Sequence, residues 1–172
     1  MKANLYALGA IALWATLATL GVSLSHVPPF LLTGLSLLIG SVLALPLLRH
    51  DLHQWRVPAA TLALGVYGLF DFHFLLFIAL RHAPPVEANL VNYLWPLFMV
   101  VLAPLLLPGL QLRSAHIAAA LLGFAGAAMA ILGASGDTPG SAVATGGWSW
   151  GYLLALASGL IWASYSLLTK RV

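Results

Sequence analysis

Six stretches of about 20 apolar residues follow one another along the chain, and that length is what an α-helix needs to cross the hydrocarbon core of a bilayer. They are Asn4–Leu24, Phe30–Leu48, Val57–Leu80, Val86–Leu107, Ala115–Ala134 and Trp150–Leu168. The hydrophobicity in each is continuous and does not alternate, which favours helices over barrel strands. The expectation is an all-α, polytopic membrane helix bundle. Composition agrees. Of 172 residues, 62% are hydrophobic and 6% are Asp, Glu, Lys or Arg, against roughly a quarter in a soluble domain. A soluble fold of this length could not cover its surface with so few charges. Lys2 before an apolar run resembles a signal peptide, but Leu5–Leu24 is long enough to span. It is read as a retained first helix.

The same inventory excludes several functions. The net charge of +3 comes from seven Lys and Arg against four acids, with no basic stripe, so no nucleic-acid partner is expected. There is no cysteine, which removes disulfides, Fe–S clusters and thiolate chemistry. The His-Glu-x-x-His pattern is absent and no serine stands near His73 in the sequence, so no catalytic residues are expected. His50, Asp51 and His53 cluster in one short loop but supply too few ligands for a metal site. No metal and no cofactor are anticipated.

Turn signals separate the runs: Pro28-Pro29, Pro84-Pro85 and Pro108-Gly109. The one long gap, Ser135–Ser149, is rich in Gly and Ser and reads as an external linker between two units. Placing the N-terminus in the cytoplasm puts Lys2, Arg49, Arg56, Arg113, Lys170 and Arg171 inside and leaves Arg81 outside, as the positive-inside rule asks.

The first and sixth runs look alike. Leu8-Gly-Ala-Ile-Ala-Leu-Trp14-Ala15-Thr16 aligns with Leu156-Ala-Ser-Gly-Leu-Ile-Trp162-Ala163-Ser164 at a constant offset of 148 residues. With five helices per unit, helix 6 starts on the side opposite to helix 1. The repeat is then inverted, a construction that many secondary transporters use, with the substrate at the repeat interface near the midplane. The expected units are 1–134, a first five-helix repeat, and 150–172, the first helix of a second one.

The segment Ala79-Leu80-Arg81-His82-Ala83-Pro84-Pro85-Val86-Glu87-Ala88-Asn89-Leu90-Val91-Asn92-Tyr93-Leu94-Trp95-Pro96-Leu97, with its Ala-Leu-Arg-x-Ala turn and Tyr-x-x-Pro helix, resembles the helix 3–4 junction of EamA-type exporters in the drug/metabolite transporter superfamily. The Gly-rich Gly123-Phe124-Ala125-Gly126 helix is a second point of likeness. The resemblance implies ten helices in two inverted halves, a multi-pass inner-membrane location and export of small molecules such as amino acids. Its aromatic amino-acid branch is the best match. Against that pattern the chain lacks helices 7–10, and Pro108-Gly109-Leu110 stands where the family often has a Glu. Either the chain is a piece of a longer protein, which is the favoured reading, or two copies associate.

Candidate substrate-binding residues follow from polarity at depth. Asn89, Asn92, Tyr93 and Pro96 share one face of the fourth helix at i, i+3, i+4 and i+7. Facing lipid would be costly, so this face should look at protein or a wet cavity. Interhelical hydrogen bonding is the alternative role for the two Asn residues. Pro96 withholds a hydrogen bond from the Asn92 carbonyl, which a substrate ammonium could take. Tyr93 and Trp95 lie further into the helix than an interfacial aromatic belt requires, a belt role being the alternative for Tyr93, and Trp162 is a candidate for lining a pocket. In the third helix, His73 is a candidate substrate ligand, or a core histidine bonded to a neighbouring helix. Asp71 is a candidate member of a proton or polar network. Helix 6 shows a polar face of Ser158, Trp162, Tyr165, Ser166 and Thr169. Thr16, Thr19 and Ser23 of helix 1, and Gly123, Gly126 and Ala130 of helix 5, read as packing residues.

Overall fold

A computed structural model describes residues 2–48, 57–136 and 149–171. Among these residues all regular structure is helical. The elements are α1 (Lys2–Ala15), α2 (Leu17–Ser23), α3 (Pro29–Leu48), α4 (Ala59–Gly65), a π-helical segment (Val66–Asp71), α5 (Phe72–His82), α6 (Pro85–Asn92), α7 (Trp95–Leu106), α8 (Ser114–Gly136) and α9 (Gly151–Leu168). They assemble into spans that match the sequence reading closely. Five helical stretches are long and apolar enough to cross a membrane: Asn4–Ser23, Pro29–Pro46, Ala59–His82, Pro85–Leu106 and Gly151–Leu168. The remaining expected span is α8, whose 23 residues extend roughly 35 Å at about 1.5 Å per residue. It runs through Ser135 and Gly136, which the sequence reading had assigned to the linker. Residues 137–148 of that linker, together with Arg49, His50, Asp51, His53 and Arg56, lie outside the described residues.

Three spans are not regular helices. The first breaks at Thr16, whose hydroxyl donates to the Leu13 carbonyl at 2.7 Å. The third widens into the π-helical turns Val66–Asp71. The fourth breaks at Tyr93 and Leu94, because Pro96 has no N–H for the carbonyl four residues before it.

Helix α9 forms the centre of the bundle and packs on α5, α6, α7 and the π-helical segment. Sequence explains the fit. Gly151, Ala155, Gly159 and Ala163 recur every fourth residue, and all four are buried. A stripe of small residues lets two helix backbones approach, which is how helices associate where lipid removes the hydrophobic drive. A Cβ added at Gly159 would lie 2.9 Å from the Asn92 carbonyl oxygen, and one at Gly151 would lie 2.9 Å from the Ala83 backbone nitrogen. Gly68, in the π-helical segment, receives the Tyr165 ring so closely that any Cβ there would overlap it.

The order of contacts fixes the relative direction of the helices. Along the third span, Gly68, Phe72 and Ala83 meet Tyr165, Trp162 and Gly151. One series rises as the other falls, so α9 runs against the third span. The first span runs with the third, because Trp14 meets Phe72 and Gly21 meets Phe77 and Leu80. The first span and α9 therefore cross the bundle in opposite senses. The fourth span runs with α9: Glu87 pairs with Tyr152, and Asn92 with Ser158.

Two packing expectations are not met among the described residues. Gly123 and Gly126 of α8 have nothing within 4 Å of an added Cβ. Helix α8 docks on α6 and α7 at the bundle edge, and these glycines lie on its exposed side. Thr16, Thr19 and Ser23 are also exposed. The residue through which the first span does pack is Gly21, which lies under Phe77.

Replacing Gly68 by Val is expected to displace Tyr165 and cost about 1–3 kcal/mol, the usual range for overpacking a filled site. Thermal unfolding in detergent reads the loss, and an unchanged midpoint would show that α9 does not dock as described.

Candidate functional site

The three irregular spans border one cavity of about 260 Å³. Trp14, Ala15, Leu17 and Ala18 line it from the break in the first span. Phe72 and Leu76 line it from the residues just after the π-helical segment. Val86, Asn89, Asn92, Tyr93 and Trp95 line it from the break in the fourth. Non-helical backbone at membrane depth is tolerated where protein covers it or where it borders a cavity that can hold water. Three irregular spans thus border one space, which makes it the candidate functional site.

Its walls are mostly rings. Trp14, Phe72, Tyr93 and Trp95 contribute aromatic faces or edges, and Asn89 and Asn92 contribute polar groups. Asn92 is 7% exposed, and its Oδ1 accepts a hydrogen bond of 3.0 Å from the fully buried Ser158 hydroxyl, which also lies 2.8 Å from the Ala155 carbonyl oxygen. The amide is thus held in place by α9, which carries the only other polar side chain at this contact that is fully buried among the described residues.

Behind the walls stands an aromatic cluster. The Trp162 ring lies 5.1 Å from Trp14 and 4.9 Å from Phe72, and Trp14 lies 6.4 Å from Phe72. Edge-on and tilted arrangements at these separations are the favourable ones for aromatic pairs. Trp162 therefore does not border the cavity itself; it backs two rings that do. Its position in α9 is equivalent to that of Trp14 in the first span under the 148-residue offset, and these two equivalent residues touch.

Of the residues singled out in the sequence, Asn89, Asn92, Tyr93 and Trp95 come together at the cavity. Pro96 does not. It is exposed and borders a separate groove between α7 and α8. The helical wheel fails here for a physical reason. Tyr93 and Leu94 have backbone angles of φ −65, ψ 1 and φ −69, ψ −9, and this turn rotates α7 relative to α6. Trp95 then takes the cavity side and Pro96 the outer one. The Asn92 carbonyl that Pro96 leaves unbonded packs against Gly159. His73 stands off the cavity as well. Its Nδ1 lies 2.7 Å from the Leu69 carbonyl oxygen, and its ring packs 4.8 Å from Phe72. Asp71 is half-buried and has no hydrogen-bond partner among the described residues.

Sequence reasoning passed over Phe72 and Ser158 as partners of the site. Phe72 is one of three alternating phenylalanines, Phe70, Phe72 and Phe74, and an apolar ring in an apolar span carries no signal that separates a cavity wall from a lipid- or core-facing residue. Ser158 sits beside the Gly151–Ala155–Gly159–Ala163 stripe, and that four-residue spacing was a usable signal of close contact. The polar face read for helix 6 does not act as one surface. Ser166 donates back to the Trp162 carbonyl and Thr169 to the Ser166 carbonyl.

Residues 1–132 match the EamA-like transporter family. The chain is 45% identical to the aromatic amino acid exporter YddG of Ancylobacter novellus over 173 residues, which cover 99% of this chain and 58% of that protein. It is 31% identical to the aromatic amino acid exporter YddG of Salmonella typhimurium over 185 residues, 99% of this chain and 59% of the relative. A solved crystal structure superposes with a TM-score of 0.71 at 40% sequence identity, covering 99% of this chain and 58% of that one. The chain thus spans a little over half the length of the relatives it matches.

With no native cysteine in the chain, the Trp14–Trp162 contact is directly testable. Trp14→Cys combined with Trp162→Cys should cross-link under mild oxidation or with a short bifunctional thiol reagent. Neither single variant should, and failure of the pair to cross-link would separate the first span from α9.

Proposed function

The chain belongs to the EamA-like transporter family, and we propose that it exports amino acids, aromatic ones among them, by alternating access across the inner membrane. The observation that carries this reading is the convergence of three broken or widened spans on a cavity walled by four aromatic rings and two Asn side chains. An aromatic side chain stacks on Trp14, Phe72, Tyr93 and Trp95. The substrate ammonium gains from ring faces. Its carboxylate and ammonium find hydrogen-bonding groups on Asn89 and Asn92, which carry both donors and acceptors. A cavity of about 260 Å³ accepts a solute of that size.

In this proposal Asn89, Asn92, Tyr93 and Trp95 contact substrate. Trp162 positions Trp14 and Phe72 from behind, and His73 supports Phe72 from its own helix. Residues 1–134 form one five-helix unit, and 150–172 begin a second unit related to it by inversion. The opposite directions of the first span and α9, and the contact between the equivalent residues Trp14 and Trp162, support that relation. Further helices completing the second unit, or a second copy of the chain, would close the open side of the cavity. The N-terminus lies in the cytoplasm. Arg113, Lys170 and Arg171 share its end of the bundle, because the fourth span and α9 both run toward it. Arg81 at the far end is tied down: its guanidinium donates to the Val27 carbonyl.

Transport of phenylalanine by the protein in proteoliposomes tests the reading. Removing one stacked ring forfeits about 0.5–1.5 kcal/mol beyond its area, so Tyr93→Ala or Trp95→Ala should weaken apparent affinity about two- to tenfold. Asn92→Ala should reduce transport as well. Wild-type rates in all three variants would overturn the assignment of this cavity.

A further inference from the structure

A second concavity lies on the outside of the bundle, away from the aromatic cavity. It is a groove of about 460 Å³ between α7 and α8. Its floor is apolar and built from small or ring-closed side chains, with Pro96, Ala103 and Pro104 on one side and Ala119 and Ala120 on the other. These residues make a slot in place of the ridges that larger side chains would raise. On α7 the slot runs from Pro96 to Pro104, about 12 Å at 1.5 Å per residue. That is the scale of an extended hydrocarbon segment.

One end of the groove is polar. Gln111 and His116 line it there, and the exposed Arg113 lies between them in sequence. The Arg113 backbone N–H reaches His116 Nδ1 at 3.4 Å, which keeps the two residues together at the start of α8. The fourth span delivers this mouth to the end of the bundle where α9 finishes in the exposed Lys170 and Arg171. The groove therefore has an apolar shaft, with Gln111 and His116 lining one end and the exposed Arg113 between them in sequence. A basic pocket between helices, open to the lipid, is suited to an anionic headgroup.

We propose that the α7–α8 groove is a binding site for one anionic phospholipid. An acyl chain lies along Pro96, Ala103, Pro104, Ala119 and Ala120, and the phosphate pairs with Arg113. A zwitterionic lipid fits the same shaft but carries no net charge to pair with that guanidinium. The site stands apart from the transport cavity, so the proposal does not depend on the substrate assignment.

Thermal unfolding of the delipidated protein tests this. It is measured in detergent, with phosphatidylglycerol or phosphatidylcholine added at equal concentration. Phosphatidylglycerol should raise the midpoint by more than phosphatidylcholine does. Arg113→Gln should abolish the difference, and so should Ala119→Phe, which fills the shaft. Lys170→Gln, a cation at the same end but away from the groove, should keep it. No preference in the wild-type protein would overturn the proposal, as would a preference that survives Arg113→Gln. Equal loss in Lys170→Gln would overturn it in favour of diffuse attraction. The same shift with inorganic phosphate alone would overturn it in favour of a free-anion site.

Discussion

In hydrocarbon each backbone N–H and C=O must find its partner inside the protein, and a regular helix satisfies that demand within a single segment. Departures from regularity are therefore expensive and need a local reason. This protein concentrates them. The break at Thr16, the π-helical turns ending at Asp71 and the break at Tyr93–Leu94 lie on three different spans, and each of those spans contributes residues to one cavity. Elsewhere the spans are ordinary helices. The architecture is best understood as a rigid apolar frame that concentrates its irregular backbone at the place where a polar solute could be handled.

What holds the frame around that place is the close seating of α9. Its small residues at every fourth position bring its backbone against the third and fourth spans. That proximity sets the other contacts. It brings Ser158 within hydrogen-bonding distance of Asn92, lays Tyr165 over Gly68, and lets Tyr67 and Ser164 meet at 2.7 Å. It also pushes Trp162 against Trp14 and Phe72, so that the cavity wall is buttressed by a ring from a helix that does not itself border the cavity. A bulkier α9 would hold the same spans farther apart, and the aromatic cluster would lose its contacts.

The two concavities differ in a way that follows from their lining. The inner one combines rings with amide groups and is supported from behind, which suits a solute with an apolar body and charged termini. The outer groove is aliphatic, shallow and open along its length, with its polar groups gathered at one end. That distribution is the ground for the anionic lipid proposed there.

The sequence by itself determined the spans. Each expected run coincides with an observed helical stretch to within about two residues, because a long apolar segment in a bilayer has no competing way to satisfy its backbone. It also determined the likeness of the first and sixth runs and the depth of Asn89, Asn92, Tyr93 and Trp95, which polarity alone marks as out of place in lipid. It did not determine which side of a span faces the cavity. Pro96 was placed there by a helical wheel carried across a break, and Phe72 was passed over because a phenylalanine at depth carries no polar group to distinguish it from a lipid- or core-facing one. His73 and Asp71 were legible as ionisable groups at depth, yet their neighbours were not. Those outcomes belong to the tertiary structure, because a rotation of a few tens of degrees at a break costs little locally and is decided by what packs alongside. Here the deciding partner was α9, whose small side chains let the backbones close.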